Sequence, residues 1–302
     1  MRVGDTIISL LIIYFAACFT LGCRKQIKYG IYILLLLTIV YILISMCMGY
    51  REIYRPAQYD NTKKERIVVS LSTLPSRLGG IRPTIESILG GSVQPDVIYL
   101  NLPEYSKREK TQYQVTPELL NISPKLKINK TSDDYGPVTK LYPALEQETD
   151  PDTIIICIDD DIKYDPRLIE TLVKSSQQYP DKTICLKGWK YLNAGGIINI
   201  PFYFPYLFVR SVDVLQCYGG VLYKRKFFGD LSLFKKYMDL KPCFTTDDIM
   251  ISKYLRKNGV EIYLIPEILK NKELKSQKKS ALSDFNTDNN QWIKCINAEI
   301  KE

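Results

Sequence analysis

Asp159, Asp160 and Asp161 follow one another without a break at the end of the apolar run Ile154-Ile-Ile-Cys-Ile. Adjacent carboxylates at the end of a buried strand repel one another and lose hydration, so folding must hold them against both penalties. A divalent cation would lift that penalty. Clustered carboxylate oxygens suit Mg²⁺ or Mn²⁺, and Mg²⁺ in particular is held by one or two carboxylates plus the phosphates of a substrate. In an extended chain Asp159 and Asp161 point to one side and Asp160 to the other. The spacing therefore predicts a D-x-D pair that grips a metal, which in turn grips a diphosphate. A solvated acidic turn closing a strand is the other reading of the same residues. A second acidic pair, Asp247-Asp248, opens a helical pattern, where the positive end of the helix dipole by itself also accounts for acids. The chain contains no His, which excludes a His-centred triad, a His base and imidazole metal ligands. Chemistry must run on carboxylates, Lys, Arg, Tyr or Cys.

These residues need elements to hold them. The Ile-rich run before Asp159 is too short for a helix and β-branched, which predicts a fully buried strand. Residues 67–72, 97–102, 125–129 and 260–265 read as further strands, and residues 184–188 start another. Residues 81–89, 141–147 and 167–179 read as helices. So do residues 245–257, with Thr or Asp as cap, acids in the first turn and Asn258-Gly259 as the stop. Strands alternating with helices predict a mostly parallel α/β sheet, whose ligands gather at the carboxyl ends of its strands. The triple Asp lies at such an end. Beyond residue 183 the pattern is less regular. Asn193-Ala-Gly-Gly and the aromatic run at 201–208 suggest loops over a concave surface, with rings that stack on sugars or pack a core. Gly219 and Gly220 mark backbone that bends or approaches something closely.

The chain has 302 residues and a formal net charge of +8, which favours phosphate-bearing partners. The charge is dispersed and no nucleic-acid recognition motif is present, so no nucleic-acid partner is expected. Eight Cys are scattered without a C-x-x-C pair and are expected as buried free thiols in a reducing compartment. Apolar runs at 7–21 and 31–48 predict one or two transmembrane helices, the second fitting a bilayer better. Residues 1–50 are thus expected as a membrane anchor, 51–65 as a linker, 66–268 as the catalytic domain and 269–302 as a Lys-rich C-terminal segment. Lys and Arg flank both runs, so the positive-inside rule points both ways. The thiols favour a cytosolic domain, whereas Asn121-Ile-Ser and Asn129-Lys-Thr would be glycosylation acceptors only in a lumen.

The order of the pieces carries a resemblance. Ser-Thr-Leu-Pro-Ser-Arg (72–77), Asp-Asp-Tyr-Gly-Pro-Val-Thr-Lys (133–140), Ile-Asp-Asp-Asp-Ile-Lys-Tyr (158–164), Gly-Gly-Val-Leu-Tyr (219–223) and Thr-Asp-Asp-Ile-Met-Ile-Ser (246–252) resemble nucleotide-sugar glycosyltransferases of the GT-A fold, near the large family 2. The match covers residues 66–266. It implies a Rossmann-like, mostly parallel sheet flanked by helices, a nucleotide-sugar donor, a glycan or lipid-linked acceptor and a divalent metal, Mn²⁺ or Mg²⁺. By the resemblance Thr73, Pro75 and Arg77 lie against the nucleotide, and Asp134 and Lys140 fix the nucleotide and diphosphate. Asp159 and Asp161 are the D-x-D pair at metal and ribose, with Asp160, Gly219 and Gly220 in the donor site. Asp247-Asp248 match the acidic pair of inverting members, with Asp248 as the preferred base. Many GT-A enzymes take a third metal ligand from a C-terminal His; here Asp284, Asn286 and Asn289 are the candidate substitutes. Two other classes remain open from the residues: a metal-dependent phosphohydrolase or nucleotidyltransferase using the same acids, and a non-catalytic membrane-tethered carbohydrate-binding protein.

Overall fold

The computed structural model describes residues 29, 32–41, 43, 60, 62, 65–191, 197–199, 211–265, 269–274 and 282–300. Contacts divide the chain into two units, Met1–Arg55 and Pro56–Glu302. In the first, residues 32–41 are helical, and Tyr32, Leu36 and Tyr41 are largely exposed. Among the described residues no helix is long and apolar enough to cross a membrane. The apolar run at 7–21, the ends of the run at 31–48 and most of the expected linker lie outside the described residues. So do the aromatic run at 201–208 and Cys18, Cys23 and Cys47.

The second unit alternates strands and helices. In chain order these are β1 (Ile67–Ser72), α1 (Arg82–Leu89), β2 (Val97–Pro103), the hairpin strands β3 (Tyr105–Ser106) and β4 (Thr111–Gln112), α2 (Pro117–Leu120), β5 (Leu126–Thr131), α3 (Tyr142–Gln147), β6 (Ile154–Cys157), β7 (Ile162–Lys163) and α4 (Leu168–Gln178). There follow β8 (Lys182–Cys185), β9 (Gly188–Tyr191), β10 (Ile197–Asn199), β11 (Val214–Leu215), β12 (Val221–Lys224), α5 (Leu231–Met238), α6 (Asp247–Lys257), β13 (Glu261–Leu264), β14 (Lys272–Glu273), α7 (Leu282–Asp288) and α8 (Gln291–Asn297).

Seven strands form the central sheet in the order β13-β8-β12-β6-β1-β2-β5. All neighbours are parallel except β12, which runs against β6 and β8. That reversal has a functional consequence: Val221 pairs with Cys157, so the residues entering β12 meet the residues leaving β6 at one edge. The sheet is covered on both faces, which is why its strands read as unbroken apolar runs rather than alternating ones. Val68, Ile155 and Cys157 face a core shared with α3, α5 and α6; Val69, Leu71, Ile154 and Ile156 face the core of α1 and α4. The mostly parallel sheet expected from the sequence is present, with the expected strands and helices within two residues of their places except the strand expected at 184–188, which the structure divides between the end of β8 and the start of β9.

Two expectations change, and the C-terminal segment acquires partners. β6 stops at Cys157, and its pairing ends where the Ile158 N–H donates to the Ser70 carbonyl at 3.2 Å, so the Asp triplet sits in a turn and the two-residue alternation of a strand does not govern it. Within the expected C-terminal segment, residues 269–274 and 282–300 are described, and they pack on the sheet-bearing unit. β14 pairs antiparallel with β7, and Leu274 N–H donates to the Asp161 carbonyl at 2.7 Å. Cys243 and Cys295 are not free thiols but form a disulfide, because α8 packs across the 3-10 turn Lys241–Cys243. Cys157, Cys185 and Cys217 are buried free thiols, as expected.

Candidate active site

The carboxyl ends of β1, β5 and β6 and the start of β12 share one edge of the sheet, and the motif residues collect there. After β1 the chain enters a 3-10 turn, Pro75–Gly80, started by Pro75. Thr73 donates its hydroxyl to Asp160 Oδ2 at 2.5 Å, and Arg77 Nη1 lies 3.2 Å from Asp160 Oδ1 and 3.8 Å from Asp161 Oδ2. Thr84, at the start of α1, donates to the Asp160 carbonyl at 2.9 Å. Asp160 is therefore turned inward against β1's loop. Burial raises its carboxyl pKa while Thr73 and Arg77 pull it back down.

Asp159 turns elsewhere. Its Oδ1 lies 2.6 Å from Lys140 Nζ, which is also 3.2 Å from Asp247 Oδ2. The second contact is an ion pair without hydrogen-bond geometry, since Asp247 Oδ2 is buried and accepts no hydrogen bond. Burial works against the Lys140 charge, but Asp159 and Asp247 outweigh it and hold the ammonium protonated far into the alkaline range. Arg77 spans Asp160 and Asp161, while Lys140 takes Asp159. Burial, then the charges of Asp159 and Asp160, push the Asp161 carboxyl up to about 6.

Asp247 and Asp248 occupy the first turn of α6. Thr246 stands at the cap position, but its side chain makes no capping bond and donates to the Cys243 carbonyl at 3.4 Å instead. Asp248 Oδ1 accepts the Cys217 N–H at 3.2 Å, from the turn before β12. Burial first, and the neighbouring Asp247 charge second, push its carboxyl up to about 7, against the opposing pull of Lys140. A carboxyl poised there can take a proton from a hydroxyl at neutral pH, as a general base needs.

Other expected residues are present with different partners. Asp134 accepts N–H groups from Lys107 and Gly136, each at 2.8 Å, so it fastens the β3–β4 hairpin over this edge. Pro75 lines a separate groove of about 510 Å³ with Ser76, Gly79, Glu109 and Gln112, which contains none of the clustered Asp residues. Gly219 and Gly220 are required by protein packing: a Cβ on them would lie 2.7 Å from Lys187 Cγ and 2.8 Å from Leu168 Cδ1, and Gly220 has φ +94°. Asn286 donates to the Thr245 carbonyl at 2.8 Å and Asn289 to that of Phe285 at 2.8 Å; the Asp284 side chain lies outside the described residues.

Sequence reasoning missed Tyr164, Cys217 and Tyr113. The Tyr164 hydroxyl accepts the Asp159 N–H at 2.9 Å and donates to the Tyr218 carbonyl at 3.2 Å, bracing the acidic turn against the turn before β12. Tyr113 donates to the Thr73 carbonyl at 2.8 Å. Neither position has a readable local signal: Tyr113 meets Thr73 and Tyr164 meets Tyr218 from far along the chain, and the Asp159 contact of Tyr164 depends on the turn between them. Among the described residues, Cys217, Asp247 and Asp248 are one group close enough to share an ion, their ligand atoms within 4.8 Å of one another. Burial keeps that thiol protonated, which makes it a poor ligand. Asp159 and Asp161 fit a hard divalent cation better: both offer oxygen, and the Asp161 carboxyl, raised by burial first and by the Asp159 and Asp160 charges second, is one that a cation would bring back to the ionised form.

No family model matches the chain, and no curated protein matches it. Among solved structures, TarS residues 1–349 of S. aureus in complex with UDP aligns at 15% identity and TM-score 0.45, over 67% of this chain and 58% of that one. A mannosyltransferase from Pyrobaculum calidifontis in complex with GDP-Man and Mn²⁺ aligns at 14% identity and TM-score 0.46, over 75% of this chain and 64% of that one. The chain thus spans about 58–64% of the length of these solved proteins.

Proposed function

We propose that the chain is a nucleotide-sugar glycosyltransferase of GT-A type, inverting and metal-assisted, acting on a hydroxyl of a glycan or lipid-linked acceptor. The observation that carries this reading is the convergence of the Asp247–Asp248 turn on the Asp159 turn: Lys140 Nζ lies 2.6 Å from Asp159 and 3.2 Å from Asp247, and the Cys217 N–H holds the adjoining Asp248, whose carboxyl burial pushes up to about 7. Transfer of a sugar from a nucleoside diphosphate needs a base beside the incoming hydroxyl and charge compensation on the leaving group. In this reading Thr73, Arg77 and Asp160 form the wall against the nucleotide, and Lys140 faces the diphosphate. Asp159 and Asp161 would hold the divalent cation, which supplies charge neutralisation on the departing diphosphate. Asp248 takes the acceptor's hydroxyl proton as that oxygen bonds to the anomeric carbon. The bond from that carbon to the diphosphate oxygen breaks, and the nucleoside diphosphate leaves with the electron pair. The Cys217 N–H holds one Asp248 oxygen and so aims the other.

We further propose tethering to a membrane through the apolar runs at 7–21 and 31–48, supported by their length and composition. The test is thermal stabilisation of the full chain by a panel of nucleotide sugars with Mn²⁺, with Mg²⁺ and with chelator. Ligand at 100 times its Kd adds about 2.7 kcal/mol, an easily read shift in Tm. A shift with one nucleotide that needs metal and disappears in Asp161→Ala supports the reading and names the donor base. A folded protein that no donor stabilises overturns it.

A further inference from the structure

The C-terminal segment is fastened to the acid-bearing helix at three places. Cys243 ends the turn that leads into α6, and it is bridged to Cys295 of α8 across 52 residues of sequence. The Cys243 carbonyl also accepts the Thr246 N–H at 3.0 Å, and Asp247 and Asp248 are the next residues. Further along α6, Lys253 Nζ donates to the carbonyls of Cys295 and Ile296, in the last turn of α8, at 3.0 Å and also to that of Ala298 just beyond it. From α7, Asn286 reaches the Thr245 carbonyl at 2.8 Å. Of these ties only the disulfide is covalent, and only it answers to the redox state of the surroundings. Cys243 and Cys295 are both buried, while the thiols of Cys157, Cys185 and Cys217 are buried elsewhere and remain unbridged.

We propose that Cys243–Cys295 is a redox-operated clamp on the Asp247–Asp248 turn. Closed, it locks α8 against the turn that launches α6 and holds the first turn of that helix in one place. Opened, it leaves the segment on hydrogen bonds alone, and the first turn of α6 frays. Closing joins the two sulfurs as the thiols give up two protons and two electrons to a disulfide-bearing exchange partner, which leaves as a dithiol; opening is the reverse, with a dithiol as donor. The clamp is closed in an oxidising compartment and open in a reducing one. It stands whether or not the glycosyltransferase reading does, since it concerns only the mechanics of α6 and α8.

Hydrogen exchange on the full chain tests it, with the bridge intact or reduced by a phosphine, and in the Cys243→Ser/Cys295→Ser double variant; peptide mapping after thiol alkylation verifies each state. Reduction is expected to speed exchange at least about tenfold over residues 245–252 and 291–297, with β1 and β2 unchanged. The double variant is expected to show the fast pattern with and without reductant. If the variant does not fold, reduced native protein carries the same comparison. Unchanged protection over residues 245–252 after reduction, or equal loss over β1 and β2, overturns the clamp. So does finding both cysteines alkylated after equilibration with glutathione disulfide.

Discussion

At the scale of single residues the site is a set of acids kept in different charge states by their surroundings. Lys140 stays charged between Asp159 and Asp247, while burial holds Asp248 near neutrality at about 7. If Asp248 is the base, it must be ionised to act, so transfer should rise with pH through about 7 rather than level off near 4. A rate measured from pH 5 to 9 reads this directly, and a profile already flat at pH 5.5 would remove Asp248 from the role. Asp248→Asn should lower transfer by about 10²- to 10⁴-fold, the usual worth of a positioned base, and leave donor affinity unchanged. Lys140→Met should behave differently. It strands the buried Asp247 and the part-exposed Asp159 without their cation, and breaking such a pair costs up to about 3–5 kcal/mol, measurable by urea unfolding. A loss below about 1 kcal/mol would mean that hydration replaces Lys140 at Asp247 as well as at the part-exposed Asp159.

At the scale of elements, the end of β6 decides the outcome. The strand ends at Cys157, and the turn that follows gives Asp160 and Asp161 to Arg77 and Asp159 to Lys140. The turn before β12 is the counterpart. Gly220 has φ +94° and lies so close to Leu168 that a Cβ would sit at 2.8 Å from its Cδ1. Gly220→Ala should therefore destabilise by about 1–3 kcal/mol through backbone strain and the clash, without a direct effect on donor binding. Chemical denaturation and donor titration separate the two. Loss of donor affinity at unchanged stability would place Gly220 in the binding site.

For the whole molecule, the raised carboxyls set a direction for stability against pH. Asp160, Asp161 and Asp248 all have folded pKa values above their ordinary value of 3.8. Between that value and about 6 to 7 the native state holds more protons than the unfolded chain, so stability falls as pH rises through this window. The Tm should be higher at pH 5 than at pH 7.5, other groups held aside by comparison with the Asp161→Asn/Asp248→Asn double variant, in which the difference should shrink. If a divalent cation and donor bind here, they should raise Tm more at pH 7.5 than at pH 5, because binding prefers the ionised carboxylates. An equal rise at both values would place the cation away from Asp161.

Much of this architecture was legible in the chain. Buried β-branched runs such as Ile154–Cys157, helix stops such as Asn258-Gly259 and the acids following strand ends are local signals, and local backbone preferences carry them into the fold. That the acids would gather at one edge also followed, since parallel strands align their carboxyl ends. What only the tertiary structure decided were contacts between residues far apart in sequence. Tyr164 reaching Tyr218, Arg77 choosing Asp160, and Cys243 meeting Cys295 depend on how the turns and helices pack. Cysteine spacing says nothing about approach in space, and a strand's exact end is set by its neighbours' pairing. The charge state of Asp248 is of the same kind: an exposed aspartate and one raised to about 7 are identical in sequence, and only burial beside Asp247 separates them.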